Sequence, residues 1–275
     1  MHGLPRLDLM IAYSCNLSCR GCISLSDRTR EGIAPYSDIQ TWLQTWQLKI
    51  EPNLVTIFGG EPLLHPKIVD ICRDVRSTWP AATIRVITNG YLLDRVDPAA
   101  WFEFSNFEIQ VSVHRLDHVL VINNKIKSIL QCKKGWQVKQ YAGYQEHKQI
   151  EWSLDGFRIY KSIFAEFVVP FKGDRTIESW NSDPCESHSI CGSPDSPILY
   201  KGRLYKCPSI ANIIDLTQQS YFDYNGFGPD DNLDEFVNEV GRPERVCGVC
   251  PDRSSARIIN HLDIKNVKVR QKISN

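Results

Sequence analysis

The sequence carries no excess charge of either sign: 32 lysines and arginines are matched by 32 aspartates and glutamates. That balance excludes a general electrostatic pull toward nucleic acid or an anionic membrane surface. No apolar run approaches the roughly 20 residues that a membrane-spanning helix needs. The opening MHGLPRLDLMIAYSC lacks the charged head and long apolar core of a secretory signal. A soluble, cytoplasmic protein with no nucleic-acid or membrane partner is therefore expected. There is no internal repeat, no low-complexity tract and no cysteine after Cys250. What is present is an ordinary globular composition, 42% hydrophobic and 23% charged over 275 residues. That is enough chain for one large domain, or for a domain with a smaller appendage. Ten cysteines stand out against this background, and in a reducing compartment they point to metal or redox chemistry rather than structural disulfides.

The first half alternates strand and helix. Leu7–Tyr13 reads as a strand, with Leu7, Leu9, Ile11 and Tyr13 on one side. Ser37 is expected to cap a helix whose stripe runs Ile39, Trp42, Leu43, Trp46 and Ile50. Leu54–Phe58, Thr83–Thr88 and Phe107–Val113 read as further strands. Helices are expected from Pro66 and around Asp97–Phe104, the second with Pro98 at a favourable first-turn position. Such βαβ units make a parallel sheet, open or closed into a barrel. Beyond residue 135 the pattern weakens. Residues 157–171 suggest two β segments, and 172–196 a loop rich in Ser, Asp, Pro and Gly. Pro197–Cys207 reads as a hairpin turning at Lys201-Gly202, Asn232–Val240 as a short helix, and Cys247–Cys250 as a loop. The tail after Ile258 is basic.

Cys15, Cys19 and Cys22 form C-x-x-x-C-x-x-C directly after the first strand. The spacing lets one loop wrap three thiolates around a compact centre. Structural zinc would need a fourth ligand, whereas a four-iron cluster held by three thiolates leaves one iron open. Gly59-Gly60-Glu61-Pro62 follows the second strand, Ile87-Thr88-Asn89-Gly90 the third, and Ser112 ends the fourth. In this order, over residues 7–115, the chain resembles the radical S-adenosylmethionine (SAM) superfamily. The resemblance implies a partial TIM-like (β/α) barrel with its site at the C-terminal strand ends. It also implies a 4Fe-4S cluster on Cys15, Cys19 and Cys22, with SAM on the open iron. Gly59, Gly60, Glu61, Asn89, Gly90 and Ser112 would bind SAM, and reduction would be supplied by an external donor such as flavodoxin or ferredoxin. Relatives often carry an aromatic residue on adenine where this chain has Gly21, so Tyr13 is expected to take that contact. His114 stands where relatives often have an acidic residue and is a candidate acid or base near the radical.

Cys191, Gly202, Cys207, Cys247 and Cys250 make a second pattern, with the hairpin bringing Cys207 back beside Cys191. Four thiolates from three segments suit zinc or an iron–sulfur cluster. This pattern resembles the SPASM/twitch extension in its shorter, single-cluster form. The implied organisation is a barrel over 1–180 and a twitch-like β-hairpin/helix subdomain with an auxiliary 4Fe-4S cluster over 181–275. Cys185 is an alternative ligand or an active-site thiol, and Cys72 lies on the apolar face of a helix. The arrangement resembles the deoxy-scyllo-inosamine dehydrogenases of aminoglycoside biosynthesis. It implies radical oxidation of a small hydroxylated, sugar- or cyclitol-like substrate, with the auxiliary cluster accepting an electron. The alternative, radical modification of a peptide or protein residue, predicts a peptide-docking surface and often an added N-terminal recognition domain; with six residues before the first strand such a domain is not expected, which lowers this reading without removing it. A simple iron–sulfur electron carrier would leave the GGEP and ITNG loops without a purpose.

Overall fold

The computed structural model describes residues 1–26, 32–141, 149–164, 166–172 and 177–260. The tail from residue 261 and part of the expected boundary, 173–176, lie outside the described residues. The elements in chain order are β1 (His2–Leu4), β2 (Leu7–Ala12), α1 (Tyr36–Trp46), β3 (Ile50–Pro52), β4 (Leu54–Gly59), α2 (Ile68–Thr78) and β5 (Thr83–Thr88). Next come β6 (Phe107–Val113), α3 (Val119–Gln131), β7 (Gln137–Tyr141), β8 (Gln149–Leu154), β9 (Phe157–Ile163) and β10 (Glu166–Val168). The C-terminal part holds α4 (Pro184–Ser189), β11 (Ile198–Tyr200), β12 (Arg203–Tyr205), α5 (Pro208–Thr217), α6 (Leu233–Glu239) and β13 (Ile258–Asn260). No helix among the described residues is long and apolar enough to cross a membrane.

One nine-stranded sheet runs β12-β11-β2-β4-β5-β6-β9-β8-β7. Its central run from β11 to β9 is parallel, and its two ends are closed by antiparallel hairpins. This is the α/β architecture that the alternation of strand and helix implies, in the partial-barrel form that the resemblance implies. Side-chain alternation then assigns the two faces. Leu7, Leu9 and Ile11 of β2 join Val55, Ile84 and Ile109 in the core under the helices. Ile39, Leu43 and Trp46 of α1 pack into the same core, and Trp46 and Trp101 are wholly buried there. Burying a large apolar side chain contributes about 1.5–3 kcal/mol.

The opposite face lines the lumen. Strand register sets one row across five strands, with Asp8 beside Thr56, Thr56 beside Arg85, Arg85 beside Glu108 and Glu108 beside Arg158. The next row up is more apolar, with Met10 beside Phe58, and Ile87 and Tyr160 flanking Gln110.

Several local expectations differ from the structure. Ser37 does not cap α1; Pro35 takes that position and makes no side-chain cap. Ile50 leaves the helical stripe and starts β3, paired with His2 of β1. The helix at Pro98–Glu103 is 3-10, and the Asp97 carboxylate accepts the Ala99 N–H. Arg245–Val249, expected as loop, is a 3-10 turn, and the 172–196 stretch contains α4. The hairpin turn is as expected: Lys201 and Gly202 both have positive φ, 48° and 80°, as a two-residue turn of the I′ type requires. β11 pairs with β2, Ile198 against Asp8 and Leu199 against Leu9, so the sheet crosses residue 180.

Candidate functional site

All ten cysteines are free thiols, and seven of them gather at two places. At the C-terminal end of β2 the chain turns into the first loop. Cys15 and Cys19 are buried and Cys22 is half-buried. Tight turns shape the loop: the Cys22 N–H donates to the Cys19 carbonyl (3.3 Å) and the Leu25 N–H to the Cys22 carbonyl (3.0 Å). The Leu17 amide donates to Cys15 Sγ at 3.3 Å, and Asn89 Nδ2 lies 3.6 Å from the same sulfur. Burial pushes the Cys15 thiol well above its usual range, and the charges of Glu61, Cys22 and Cys19 push it further. Thiols placed this way do not ionise without a compensating cation, which coordinated iron supplies. Among the described residues no three His, Cys, Asp or Glu side chains converge on a single-ion site. Three thiols on one tight loop, bordering one cavity, are a donor set that fits an iron–sulfur cluster.

The glycines expected near SAM are dictated by close packing. A Cβ at Gly59 would lie 2.2 Å from the Ala12 carbonyl oxygen, and one at Gly60 would lie 2.3 Å from that of Ser14. Their amides carry the cross-link, with the Gly60 N–H donating to Ala12 O (2.8 Å) and the Glu61 N–H to Ser14 O (3.0 Å).

Glu61 is fully buried and accepts from Thr88 Oγ1 (2.7 Å), the Asn89 amide (2.8 Å) and the Leu63 amide (3.0 Å). Burial lifts its carboxyl to about 7 despite these donors. The residue expected at the SAM amino group therefore ties the ends of β4 and β5 together. Gly90 likewise serves a turn: its N–H donates to Thr88 Oγ1 at 3.0 Å.

A cavity of about 260 Å³ runs down from this loop, with Gly59, Gly60, Asn89, Ser112 and His114 in its wall. Asn89 is held by Asn16 Oδ1 (2.7 Å) and by the Tyr91 amide (3.0 Å). His114 Nδ1 lies 2.7 Å from the Phe164 carbonyl, and its ring packs 5.4 Å from that of Phe167. Phe164 and Phe167 also line the cavity. Tyr13 does not line it. Its ring packs edge-on to Tyr200 at 5.8 Å beneath the Lys201 ammonium, as part of the hairpin junction. Gly21 has φ +76°, and its Cβ would sit 3.3 Å from Phe167 Cβ, so an aromatic residue does not fit there. Phe167 occupies that side of the loop instead.

The far end of the cavity is polar, with Arg6, Asp8, Gln110, Gly192 and Ser193 in its lining. Arg6 Nε donates to Asp8 Oδ1 at 2.6 Å. Burial raises the Asp8 carboxyl, with Arg6 opposing the shift. Arg85 donates to Glu108 Oε2 at 2.7 Å, and Arg158 pairs with Glu108 Oε1 and with Glu151. Arg6, Arg85 and Arg158 thus each already hold a carboxylate. Sequence reasoning missed Arg6, Asp8, Gln110 and Ser193, although the even-numbered period along β2 marked Asp8 as opposite to the core.

The second gathering surrounds a small cavity of about 30 Å³ lined by Cys191, Cys207, Cys247 and Cys250, with His188 and Lys206. Burial pushes Cys207 up to about 12, and the charges of Cys191 and Cys247 add to it. Cys250 is pushed well above its usual value by burial and by Cys207, Cys191 and Cys247. The Cys250 amide donates to Cys247 O at 3.0 Å, and the Ser193 amide donates to Cys191 Sγ at 3.4 Å. Ser193 therefore lines both cavities. Cys185 is exposed on α4 and lines neither cavity. Cys72 is buried in the core beneath α2, as expected.

Residues 9–131 match the model of the radical SAM superfamily. A GTP 3′,8-cyclase of Microcystis aeruginosa is 27% identical over 157 residues, taking in 54% of this chain and 45% of that enzyme. The chain thus spans less than half the length of that relative. The crystal structure of BtrN in complex with AdoMet and 2-DOIA covers 92% of this chain and 94% of its own, at 14% identity and a TM-score of 0.52. Streptococcus suis SuiB bound to S-adenosylmethionine covers 42% of this chain and 27% of its own, at 20% identity and a TM-score of 0.36.

Proposed function

We propose that this protein, whose residues 9–131 match the model of the radical SAM superfamily, works with a 4Fe-4S cluster and SAM as members of that family do, and that it oxidises a small hydroxylated metabolite of sugar or cyclitol type. The observation that carries the reading is one continuous cavity, lined at one end by Gly59, Gly60 and Asn89 and at the other by Ser193 beside the second cysteine set. Cys15, Cys19 and Cys22 hold the first cluster, and Cys191, Cys207, Cys247 and Cys250 hold an auxiliary one in a twitch-like unit over 181–275. When bound, these groups and SAM supply the radical that takes a substrate hydrogen atom and the acceptor for the electron that follows.

The chain's own residues orient and deprotonate. Gly59, Gly60, Asn89 and Ser112 would bind SAM, and Phe167, beside Gly21 in the same cavity wall, would supply the aromatic surface that Gly21 lacks. A carbonyl can only accept, so the contact to Phe164 places a proton on His114 Nδ1 and fixes the ring in the cavity wall, where His114 is the acid or base for a substrate hydroxyl. Arg6, Asp8 and Gln110 offer donors and acceptors to hydroxyl or amino groups. The likeness to a GTP 3′,8-cyclase favours a second reading, a nucleotide substrate. Against it, Arg6, the arginine in the cavity's lining, already holds Asp8, which suits an uncharged or cationic polyol better than a triphosphate.

The test is anaerobic reconstitution, reduction, and a substrate screen read by 5′-deoxyadenosine and by product mass. We expect stoichiometric ketone from a sugar or aminocyclitol. Deoxyadenosine formed without net substrate oxidation, or only with GTP or a peptide, would overturn the assignment.

A further inference from the structure

Lys206 is a lysine with almost no access to water, 3% exposed, in the residue before Cys207. A cation in such a place must be hydrogen-bonded and matched by negative charge. Its ammonium donates to Glu244 Oε1 at 2.6 Å, to the Arg242 carbonyl, and to the Glu239 carbonyl at 3.4 Å. Its own amide donates to Tyr224 Oη at 2.7 Å. These bonds join the end of the β11–β12 hairpin to the 239–244 segment. That segment runs directly into the 3-10 turn carrying Cys247, whose amide donates to the Glu244 carbonyl at 2.8 Å. Lys206 lines the small cavity with the four cysteines, whereas Glu244 stands behind it and does not. Lys206 thus borders the cysteine cavity directly, while its carboxylate partner lies outside the lining.

We propose that Lys206 is the positioning residue of the second cysteine set, pinning the Cys247–Cys250 segment to the Cys207 hairpin, and that its fixed charge biases the auxiliary cluster toward the reduced state. This rests on the reading that the second set holds an iron–sulfur cluster. A cluster ligated by four thiolates is anionic, and reduction adds another negative charge. Net charge and hydrogen bonding around such clusters set their potential, so a buried cation at the wall favours reduction and Glu244 partly opposes it. A cluster poised in this way is suited to taking an electron from the cavity side, across Ser193.

The experiment uses the full chain with Cys15, Cys19 and Cys22 changed to Ala, so that iron binds only at the second set. Iron is counted, and the cluster is titrated under EPR. Lys206→Arg should keep both iron and potential. Lys206→Met should lower the reduced-to-oxidised ratio at fixed potential about tenfold, a shift of about 59 mV for a one-electron couple. Glu244→Gln should move the ratio the opposite way, and it keeps the proposal testable if Lys206→Met fails to assemble. Unchanged potentials, or shifts of the same sign in both variants, would overturn the proposal. Absence of iron in the parent triple variant would remove the auxiliary cluster itself, a different failure that takes the proposal with it.

Discussion

Glu61 makes a prediction whose sign follows from its burial. Its carboxyl is fully enclosed, and its pKa rises from 4.5 to about 7 on folding. The folded state therefore holds a proton that the unfolded chain has released, so stability falls as pH rises from about 4.5 through 7. At about 1.4 kcal/mol per pH unit the full swing is about 3 kcal/mol. Glu61→Gln removes the titration while keeping the shape. At low pH the amide stands in for the protonated acid, but it turns an NH₂ toward the Asn89 amide, which now donates to Oε2. That leaves buried donors unmatched, at a cost of about 1–3 kcal/mol each. The variant should be less stable than the parent near pH 5, with the deficit shrinking or reversing by pH 8. Urea midpoints of the cluster-free proteins at the two pH values measure the swing, and other titrating groups cancel in the difference. A difference independent of pH, or one that grows toward alkaline pH, would refute the reasoning.

Two further outcomes follow from packing. Gly59→Ala sets a Cβ 2.2 Å from Ala12 O and 2.9 Å from Ala12 N, both backbone atoms that cannot swing away. We expect about 1–3 kcal/mol of destabilisation and loss of iron at the first site with retention at the second, read by denaturant unfolding and iron counting. Cys185→Ala, at an exposed position outside both cavities, should keep its iron content and its rate of SAM cleavage. A loss of either would return Cys185 to the site.

The parts legible in the sequence are those in which one short segment carries both pattern and consequence. β5 and β6 match their expected bounds to the residue, because alternation or a continuous apolar run ends at Asn89-Gly90 or at the polar His114. The three-cysteine loop and the Lys201-Gly202 turn are equally local. α3 escaped although Ile122, Ile126 and Ile129 form its buried stripe. His118 at its N-cap makes no side-chain capping bond and no acidic residue opens its first turn, so no start signal marks it. α4 begins at Pro184, which favours a first helical turn, yet Pro among Ser, Asp and Gly reads as loop, and α5, opening at Pro208, went unread. What no segment reveals is pairing at long range. Gly192 and Ser193 come to the lumen near Asp8 because β11 adds to β2, a contact spanning about 190 residues.

That same pairing sets how the two cysteine sets relate. β2 leads at its C-terminal end into the Cys15 loop, while β12 returns antiparallel beside β11, with Tyr205 opposite Ile198 and Ile198 opposite Asp8. Cys207 therefore emerges toward the start of β2 and Cys15 beyond its end. A strand of six residues rises roughly 20 Å at about 3.3 Å per residue. The two sets accordingly sit toward opposite ends of one strand, with the cavity between them. On the proposed reading a substrate in that cavity gives up its hydrogen atom near Asn89 and its electron near Ser193, without leaving the lumen. Widening the lower end, as in Arg6→Ala, should weaken substrate-dependent turnover while uncoupled SAM cleavage persists, because Arg6 lies at the floor beside Asp8 and away from the cysteine loop. Equal loss of both activities would mean that the floor supports the fold rather than the substrate.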